Sequence, residues 1–117
     1  YDNLVFLTLT FTDSVLLSTT FSTRRTYVRK FLKSCCNDYV ANVDFGDLHC
    51  REHYHAIVTN FVDYSSWSFG AVNGKRIVVK NSGAFAHYLD KLTSHAYKVG
   101  TGLSTRLIYS KSCRSVH

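Results

Sequence analysis

Two histidines separated by one residue, His53 and His55, open an apolar run in the middle of the chain. In a β-strand, residues two apart project to the same face, so both imidazoles can reach a single divalent ion. Asp44 stands nine residues before His53, and it lies beside both histidines if the two segments pair as antiparallel strands. Two imidazoles and one carboxylate leave coordination positions open for water or phosphate oxygens, which a catalytic metal needs. The pair alone is also compatible with two structural histidines in a core.

A tyrosine and a lysine three residues apart, Tyr88 and Lys91, share one face of a predicted helix. A tyrosine beside a metal can attack a phosphodiester and form a covalent phosphotyrosine link, which is nucleophilic catalysis. A lysine next to it can stabilise the developing phosphate charge. The structural alternative is an amphipathic stripe in which Phe85, Tyr88, Leu89 and Leu92 are ordinary core residues.

The elements that must position these residues follow from the spacing of apolar side chains. Alternation predicts strands over residues 4–11, 38–45, 53–61, 67–72, 76–79 and 105–109, with helices over 24–36 and 84–98. Residues 13–22 read as a polar loop, and Asn73-Gly74 is a strong hairpin-turn signal. This order predicts an α+β fold, an antiparallel sheet of about five strands with helices packed on it.

The first predicted helix is amphipathic and strongly basic. Thr23 is its predicted N-cap. One face carries Tyr27, Val28, Phe31, Leu32 and Cys35, and we expect it to be buried. The opposite face carries Arg24, Arg25, Arg29, Lys30 and Lys33, and we expect it to be solvated.

Length and charge bound the class of protein. The 117 residues suffice for one domain with its own core, and we expect that domain to be excised from a longer protein. The net charge of +6 favours a polyanionic partner, nucleic acid above all. No apolar run reaches the length of a membrane span, and no secretory signal is recognisable, so we expect a cytoplasmic location.

The four cysteines are expected to be reduced thiols, because they lack CxxC spacing and include a vicinal pair. A zinc site built from Cys35, Cys36, His49 and Cys50 is the alternative, although this spacing matches no familiar zinc module.

Several motifs occur in a fixed order along the chain: FLTLTF, then DFGDLHCREHYHA, then W-x-x-G-x-V, then YLDK and finally RLIYSKS. This ordered set resembles the HUH endonuclease superfamily, and most of all the rolling-circle replication initiators (Rep) of microvirus-type single-stranded DNA phages and related plasmids. The likeness covers residues 5–112, nearly the whole chain. It implies the HUH/Rep fold, which is RRM-like and ferredoxin-like.

The resemblance also implies a site. His53, His55 and Asp44 would hold Mn²⁺ or Mg²⁺, and Tyr88 would attack the scissile phosphate with help from Lys91. The products would be a 5′-phosphotyrosine link and a free 3′-OH that primes replication at an origin. A second active-site tyrosine, four residues away in many phage initiators, is lacking here, which implies a one-tyrosine enzyme.

The chain departs from the family pattern at two positions of the predicted metal-binding region. Asp44 stands where the pattern has glutamate, and Glu52 stands where it has proline, so Glu52 is an alternative third ligand. By the same resemblance, single-stranded origin DNA, hairpin-forming or not, would lie across the sheet. The residues expected to contact it are Thr8, Thr10, Arg51, Trp67, Lys75 and Arg76.

Other functions remain open at the level of the sequence. A single-strand transposase or a relaxase would use the same constellation of residues. A non-catalytic RRM-like module would bind single-stranded nucleic acid without needing a tyrosine near the histidines. For the replication initiator we expect a monomeric domain that works with a host helicase and polymerase in the bacterial cytoplasm.

Overall fold

The centre of the protein is a sheet of four strands of six or seven residues, extended at one edge by a short two-residue strand. A computed structural model describes residues 4–36, 38–45, 51–59, 65–77, 92 and 108–109. Neighbouring strands are antiparallel throughout, in the spatial order β4-β1-β3-β2-β5. The predicted α+β class with an antiparallel sheet is therefore confirmed. In chain order the elements are β1 (Leu4–Leu9), α1 (Asp13–Ser18), α2 (Phe21–Cys35), β2 (Tyr39–Asp44), β3 (His53–Thr59), β4 (Val72–Ile77) and β5 (Ile108–Tyr109).

The two faces of the sheet have different partners. One face, here called the helix face, packs against the apolar side of α2, where Val28, Phe31 and Leu32 are buried. The opposite face, here called the site face, combines a small apolar cluster with buried polar groups. Because side chains alternate along each strand, the register assigns every strand residue to one face. The site face of β1, β2 and β3 carries Leu4, Phe6, Thr8, Val40, Asn42, Asp44, His53, His55, Ile57 and Thr59.

The helices begin earlier than their apolar pattern suggests. The predicted loop over residues 13–22 contains α1, whose N-cap Thr12 accepts a hydrogen bond from the Val15 amide. The N-cap of α2 is Thr20, and its hydroxyl accepts from the amide of Thr23, the residue predicted to be the cap. Arg24 lies four residues before Val28 and seven before Phe31, so it shares their buried side of α2 and is 9% exposed. The prediction that Arg24 lies on a solvated face is therefore wrong.

The predicted hairpin turn at Asn73-Gly74 is also wrong. Both residues lie inside β4, where Asn73 is the partner of Thr8 and Gly74 the partner of Leu7. Pairing with β1 occupies the backbone hydrogen-bonding groups along residues 72–77, and this long-range ladder overrides the local turn preference. Residues 67–71 accordingly form no part of a strand.

Trp67 and Gly70 pack around a single peptide group, the carbonyl of Thr10. The Trp67 indole N–H donates to that carbonyl at 3.1 Å, and the ring is buried among Phe11, Phe31 and Phe69. A Cβ on Gly70 would lie 2.2 Å from the Thr10 carbonyl oxygen and 2.6 Å from its carbon. The W-x-x-G segment therefore fixes the connection that leads out of β1.

Replacing Gly70 by alanine is expected to lower the free energy of unfolding by about 1–3 kcal/mol, because the new methyl group meets backbone atoms that cannot rotate away. Urea denaturation measures the change. Ser68→Ala, at an exposed position two residues earlier, is the control and should leave the midpoint nearly unchanged. Native stability of Gly70→Ala would mean that Gly70 does not approach Thr10 this closely.

Of the second predicted helix, only Leu92 lies among the described residues. Leu92 is helical and 3% exposed, and it belongs to the apolar cluster of the site face with Leu4, Phe6, Ile57 and Ile77. None of the helices in the described part of the chain has the length and apolar character that crossing a bilayer requires. Cys35 and Cys36 are free thiols, and burial raises the pKa of Cys36 to about 12. His49, Cys50 and Cys113 lie outside the described residues.

Candidate metal centre

Strand pairing brings Asp44 beside the two histidines. β2 and β3 are antiparallel, and Asp44 is the direct partner of His53. The Asp44 Oδ2 atom lies 3.2 Å from His53 Nε2 and 3.0 Å from His55 Nε2. One ligand atom from each of the three residues can be chosen so that all lie within 4.8 Å of one another. This set, here called the Asp44–His53–His55 group, has the membership expected from the sequence.

The second ring nitrogen of each histidine is held by an oxygen atom. His53 Nδ1 lies 3.0 Å from the Arg51 carbonyl oxygen. A carbonyl only accepts hydrogen bonds, so this Nδ1 carries the proton and a neutral His53 ring turns its Nε2 lone pair toward Asp44. A lone pair and a carboxylate oxygen at this separation repel unless a cation, a proton or a metal ion, lies between them. The arrangement therefore fits either a proton shared between His53 and Asp44 or a divalent metal ion bound by both.

The environment of His55 orients its ring but does not select its tautomer, because a hydroxyl can donate or accept a hydrogen bond. Its Nδ1 lies 3.2 Å from the Thr8 hydroxyl, while its ring stacks on Phe6 with centroids 5.2 Å apart. A hydrogen bond at the nitrogen that does not bind metal sets the orientation of a ligating histidine. His55 is 5% exposed and Asp44 is 4% exposed, whereas His53 is half-buried and forms the open side of the group.

The distances from Asp44 Oδ2 to the two imidazole nitrogens fit a divalent ion. Ligands ~2.1 Å from a metal and at right angles to one another lie ~3.0 Å apart. Asp44 Oδ2 is separated from the two imidazole nitrogens by 3.0 and 3.2 Å, which is close to that value. Binding requires both imidazoles to be neutral at Nε2, so a metal ion and protons compete for the group.

Glu52, the alternative third ligand, is engaged elsewhere. Its two carboxylate oxygens accept hydrogen bonds from Arg24 Nε at 3.0 Å and Arg24 Nη2 at 2.8 Å. The hydrogen bond and charge of Glu52 raise the pKa of the Arg24 guanidinium, with burial acting in the opposite direction. The structure thus brings Asp44, and not Glu52, into the group with the histidines.

Tyr54, between the two histidines, belongs to the opposite face. It is fully buried on the helix face with the core residues Ala56 and Val58. Burial, with a smaller contribution from the charge of Glu52, raises the pKa of its phenol to about 12. Tyr54 is therefore a core residue and is not placed to act at the metal group.

The predicted DNA contacts divide between the two faces. Thr8 lies beside the metal group, and Lys75, the partner of Phe6, lies exposed on the site face two strands from β3. Arg76 is the partner of Val5 and therefore projects from the helix face. The predicted loop position of Lys75 and Arg76 is wrong, because both lie in β4, whereas the contact of Arg76 with DNA stays a prediction.

The remaining predicted DNA contacts already have partners within the protein. Trp67 is 5% exposed, so little of its indole is available for stacking on a base, and its role as a DNA contact stays a prediction. The Thr10 hydroxyl accepts from the Ala71 amide at 2.9 Å. Arg51 donates to Asp13 at 2.6 Å and to the Phe11 carbonyl at 2.7 Å, although its side chain remains 49% exposed.

No family model, curated protein or solved structure matches this chain.

The sequence interpretation overlooked Asn42, which precedes Asp44 by two residues on the same face of β2. Asn42 is 1% exposed and is the strand partner of His55. Its Nδ2 donates to the Leu92 carbonyl at 3.0 Å. The sequence could have indicated Asn42, because a polar residue two positions from a ligand in a strand lies on the same face as that ligand. Tyr88 and Lys91 themselves lie outside the described residues.

Proposed function

We propose that this protein is a metal-dependent endonuclease that nicks and rejoins single-stranded DNA through a covalent 5′-phosphotyrosine and so initiates rolling-circle replication. The observation that carries the proposal is the convergence of Asp44 Oδ2 with His53 Nε2 and His55 Nε2, at 3.2 and 3.0 Å, on the site face of the sheet. Strand order supports it, since the four long strands have the arrangement of the split β-α-β fold. This arrangement is compatible with the HUH/Rep fold that the motifs suggest, and the HUH/Rep identity is part of the proposal.

The position of Leu92 supports Tyr88 as the nucleophile. Leu92 packs in the same apolar cluster as Phe6, and the Phe6 ring stacks on His55. Tyr88 precedes Leu92 by four residues, a length of chain that spans at most ~14 Å. A tyrosine within that reach of the site face is what phosphoryl transfer at the metal group requires.

The proposed reaction is a displacement at phosphorus. The phenol oxygen of Tyr88 forms a bond to the scissile phosphorus, and the bond between that phosphorus and the 3′ oxygen breaks. The phenol loses its proton, and the leaving 3′ oxygen takes up one proton to become the 3′-OH. Lys91 offsets the negative charge that develops on the phosphoryl oxygens. A divalent ion in the Asp44–His53–His55 group supplies Lewis-acid polarisation of the phosphate. Attack by a 3′-OH on the phosphotyrosine reverses the reaction and rejoins the strand.

The site face also offers a path for the DNA strand. Asn73, Thr8, His55 and Asn42 stand in one register row across four strands. Lys75 projects from β4 on the same face, and β4 is separated from β3 by two strand spacings, or ~10 Å. The net charge of +6 favours a polyanion in general. We propose Lys75 as a phosphate contact on this path, with Arg51 contributing from its exposed part.

The proposed cofactor is Mn²⁺ or Mg²⁺. Both ions prefer oxygen ligands, and substrate phosphate and water would supply the oxygens that the three protein ligands leave open. The proposed partner is origin DNA in single-stranded or hairpin form, with a host helicase and polymerase extending the freed 3′-OH. The proposed setting is the cytoplasm of a bacterial host, with the domain acting as a monomer.

A covalent adduct with DNA tests the proposal. The protein is incubated with Mn²⁺ and a pool of random-sequence single-stranded oligonucleotides, and the products are separated on a denaturing gel. A shifted protein band is expected for the wild type and should vanish in Tyr88→Phe and on chelation of the metal. Tyr97→Phe, at the other tyrosine of the same predicted helix, is the matched control and should retain the adduct.

Two results would contradict the proposal. An adduct that survives Tyr88→Phe would place the nucleophile elsewhere. Oligonucleotide binding without any adduct, in either Mn²⁺ or Mg²⁺, would indicate the non-catalytic single-strand binding module.

A further inference from the structure

Asn42 joins the strand that carries Asp44 to the segment that carries Tyr88. Its side chain is 1% exposed, and its Nδ2 atom donates to the Leu92 carbonyl oxygen at 3.0 Å. Asn42 shares its strand face with Asp44 and is the direct partner of His55 on β3. The contact therefore links Asn42, the strand partner of His55, to Leu92, which follows Tyr88 by four positions.

An amide at this position is costly for the fold alone. The neighbouring apolar cluster consists of Leu4, Phe6, Ile57, Ile77 and Leu92, with Val40 packed against it. Within the described part of the chain, Asn42 Oδ1 is buried without a hydrogen-bond partner. Burying an unmatched acceptor destabilises a protein, whereas an aliphatic side chain of the same size in an apolar cluster does not. Among the described residues, the side chain of Asn42 makes one hydrogen bond, which is the one to the Leu92 carbonyl.

We infer that Asn42 is a positioning residue, whose carboxamide anchors the Leu92 carbonyl on the site face and through it restrains Tyr88, four residues earlier in the chain. This role rests on the proposed function and assigns Asn42 no contact with metal or DNA. Apolar contacts of Leu92 restrain the segment against the sheet but allow it to slide. A directional hydrogen bond to a main-chain carbonyl removes that freedom. Displacing a reacting group by about 1 Å can reduce a rate ~100-fold.

The test compares Asn42→Leu with the wild type in the 117-residue protein. The matched control is Thr59→Val, which removes another buried side-chain hydrogen bond on the site face, the one between Thr59 Oγ1 and Asp38. Hydrogen exchange is measured for peptides that cover residues 84–98. Adduct formation is measured at saturating oligonucleotide, and Mn²⁺ affinity is measured by calorimetry.

In Asn42→Leu we expect faster exchange over residues 84–98 and a ~10- to 100-fold lower rate of adduct formation. Mn²⁺ affinity and the oligonucleotide concentration for half-saturation should change less than about threefold, because Asn42 binds neither. Thr59→Val should leave both the exchange and the rate near the wild-type values. If circular dichroism shows that Asn42→Leu does not fold, Asn42→Ala replaces it with the same expected results.

Unchanged exchange over residues 84–98 would overturn the inference, as would a loss of Mn²⁺ affinity that parallels the loss of rate. Failure of the proposed function is distinguishable from both. In that case the wild type forms no adduct, while the exchange experiment still reports whether Asn42 anchors the segment.

Discussion

Replacing Asp44 by asparagine is expected to lower the affinity of the protein for Mn²⁺ at least ~100-fold. Changes to groups that only orient metal ligands already cost about 10- to 100-fold in affinity, and Asp44 would be a ligand itself. Its Oδ2 atom is the point on which both imidazoles converge, at 3.2 and 3.0 Å. Asparagine keeps the shape of the side chain but removes the only negative charge in the group. Calorimetric titration with Mn²⁺ measures the effect.

The control for this substitution is Asp38→Asn. Asp38 immediately precedes β2, at the end remote from Asp44. Asp38→Asn therefore makes the same chemical change as Asp44→Asn but leaves the Asp44–His53–His55 group intact. Mn²⁺ affinity should be unaltered. If Asp44→Asn binds Mn²⁺ as tightly as the wild type while Glu52→Gln does not, the third ligand is Glu52 and the assignment of Asp44 is wrong.

The metal group could be predicted from the sequence because it depends on two short-range rules. Alternation along β3 puts His53 and His55 on one face, and antiparallel pairing of β3 with the preceding strand β2 brings Asp44 alongside them. The register observed, with Asp44 opposite His53, follows from these rules together with the apolar pattern of both strands. A shift by one residue would have placed Asp44 on the helix face.

The errors have a common physical origin, which is competition from distant parts of the chain. Asn73-Gly74 favours a turn locally, but β1 offers an unpaired edge and residues 72–77 extend along it. A charged side chain favours solvent, but Arg24 lies four residues before Val28 on the apolar side of α2, where Glu52, 28 residues away in sequence, binds it in the interior. The sequence suggests Trp67 as a DNA contact, whereas in the structure its indole N–H donates to the distant Thr10 carbonyl. None of these partners can be inferred from local spacing.

Replacing Glu52 by glutamine is expected to destabilise the protein by about 3–5 kcal/mol, the usual cost of removing one partner from a buried ion pair. The Arg24 and Glu52 side chains are only 11% and 6% exposed. The guanidinium also donates to the Thr19 carbonyl at 2.6 Å, so it cannot swing into solvent without releasing the junction between α1 and α2. The variant therefore retains a buried positive charge with no carboxylate to offset it. Urea denaturation monitored by circular dichroism measures the loss.

The chain supplies a matched control in its exposed ion pair between Arg51 and Asp13, whose side chains are 49% and 80% exposed. Asp13→Asn is the same chemical change in solvent and should cost at most about 1 kcal/mol. The double variant Arg24→Met, Glu52→Leu should be more stable than Glu52→Gln alone, because it removes both charges together. Equal, small effects of Glu52→Gln and Asp13→Asn would mean that the Arg24–Glu52 pair is solvated. Glu52 would then be free to turn toward His53, and its exclusion from the metal group would no longer hold.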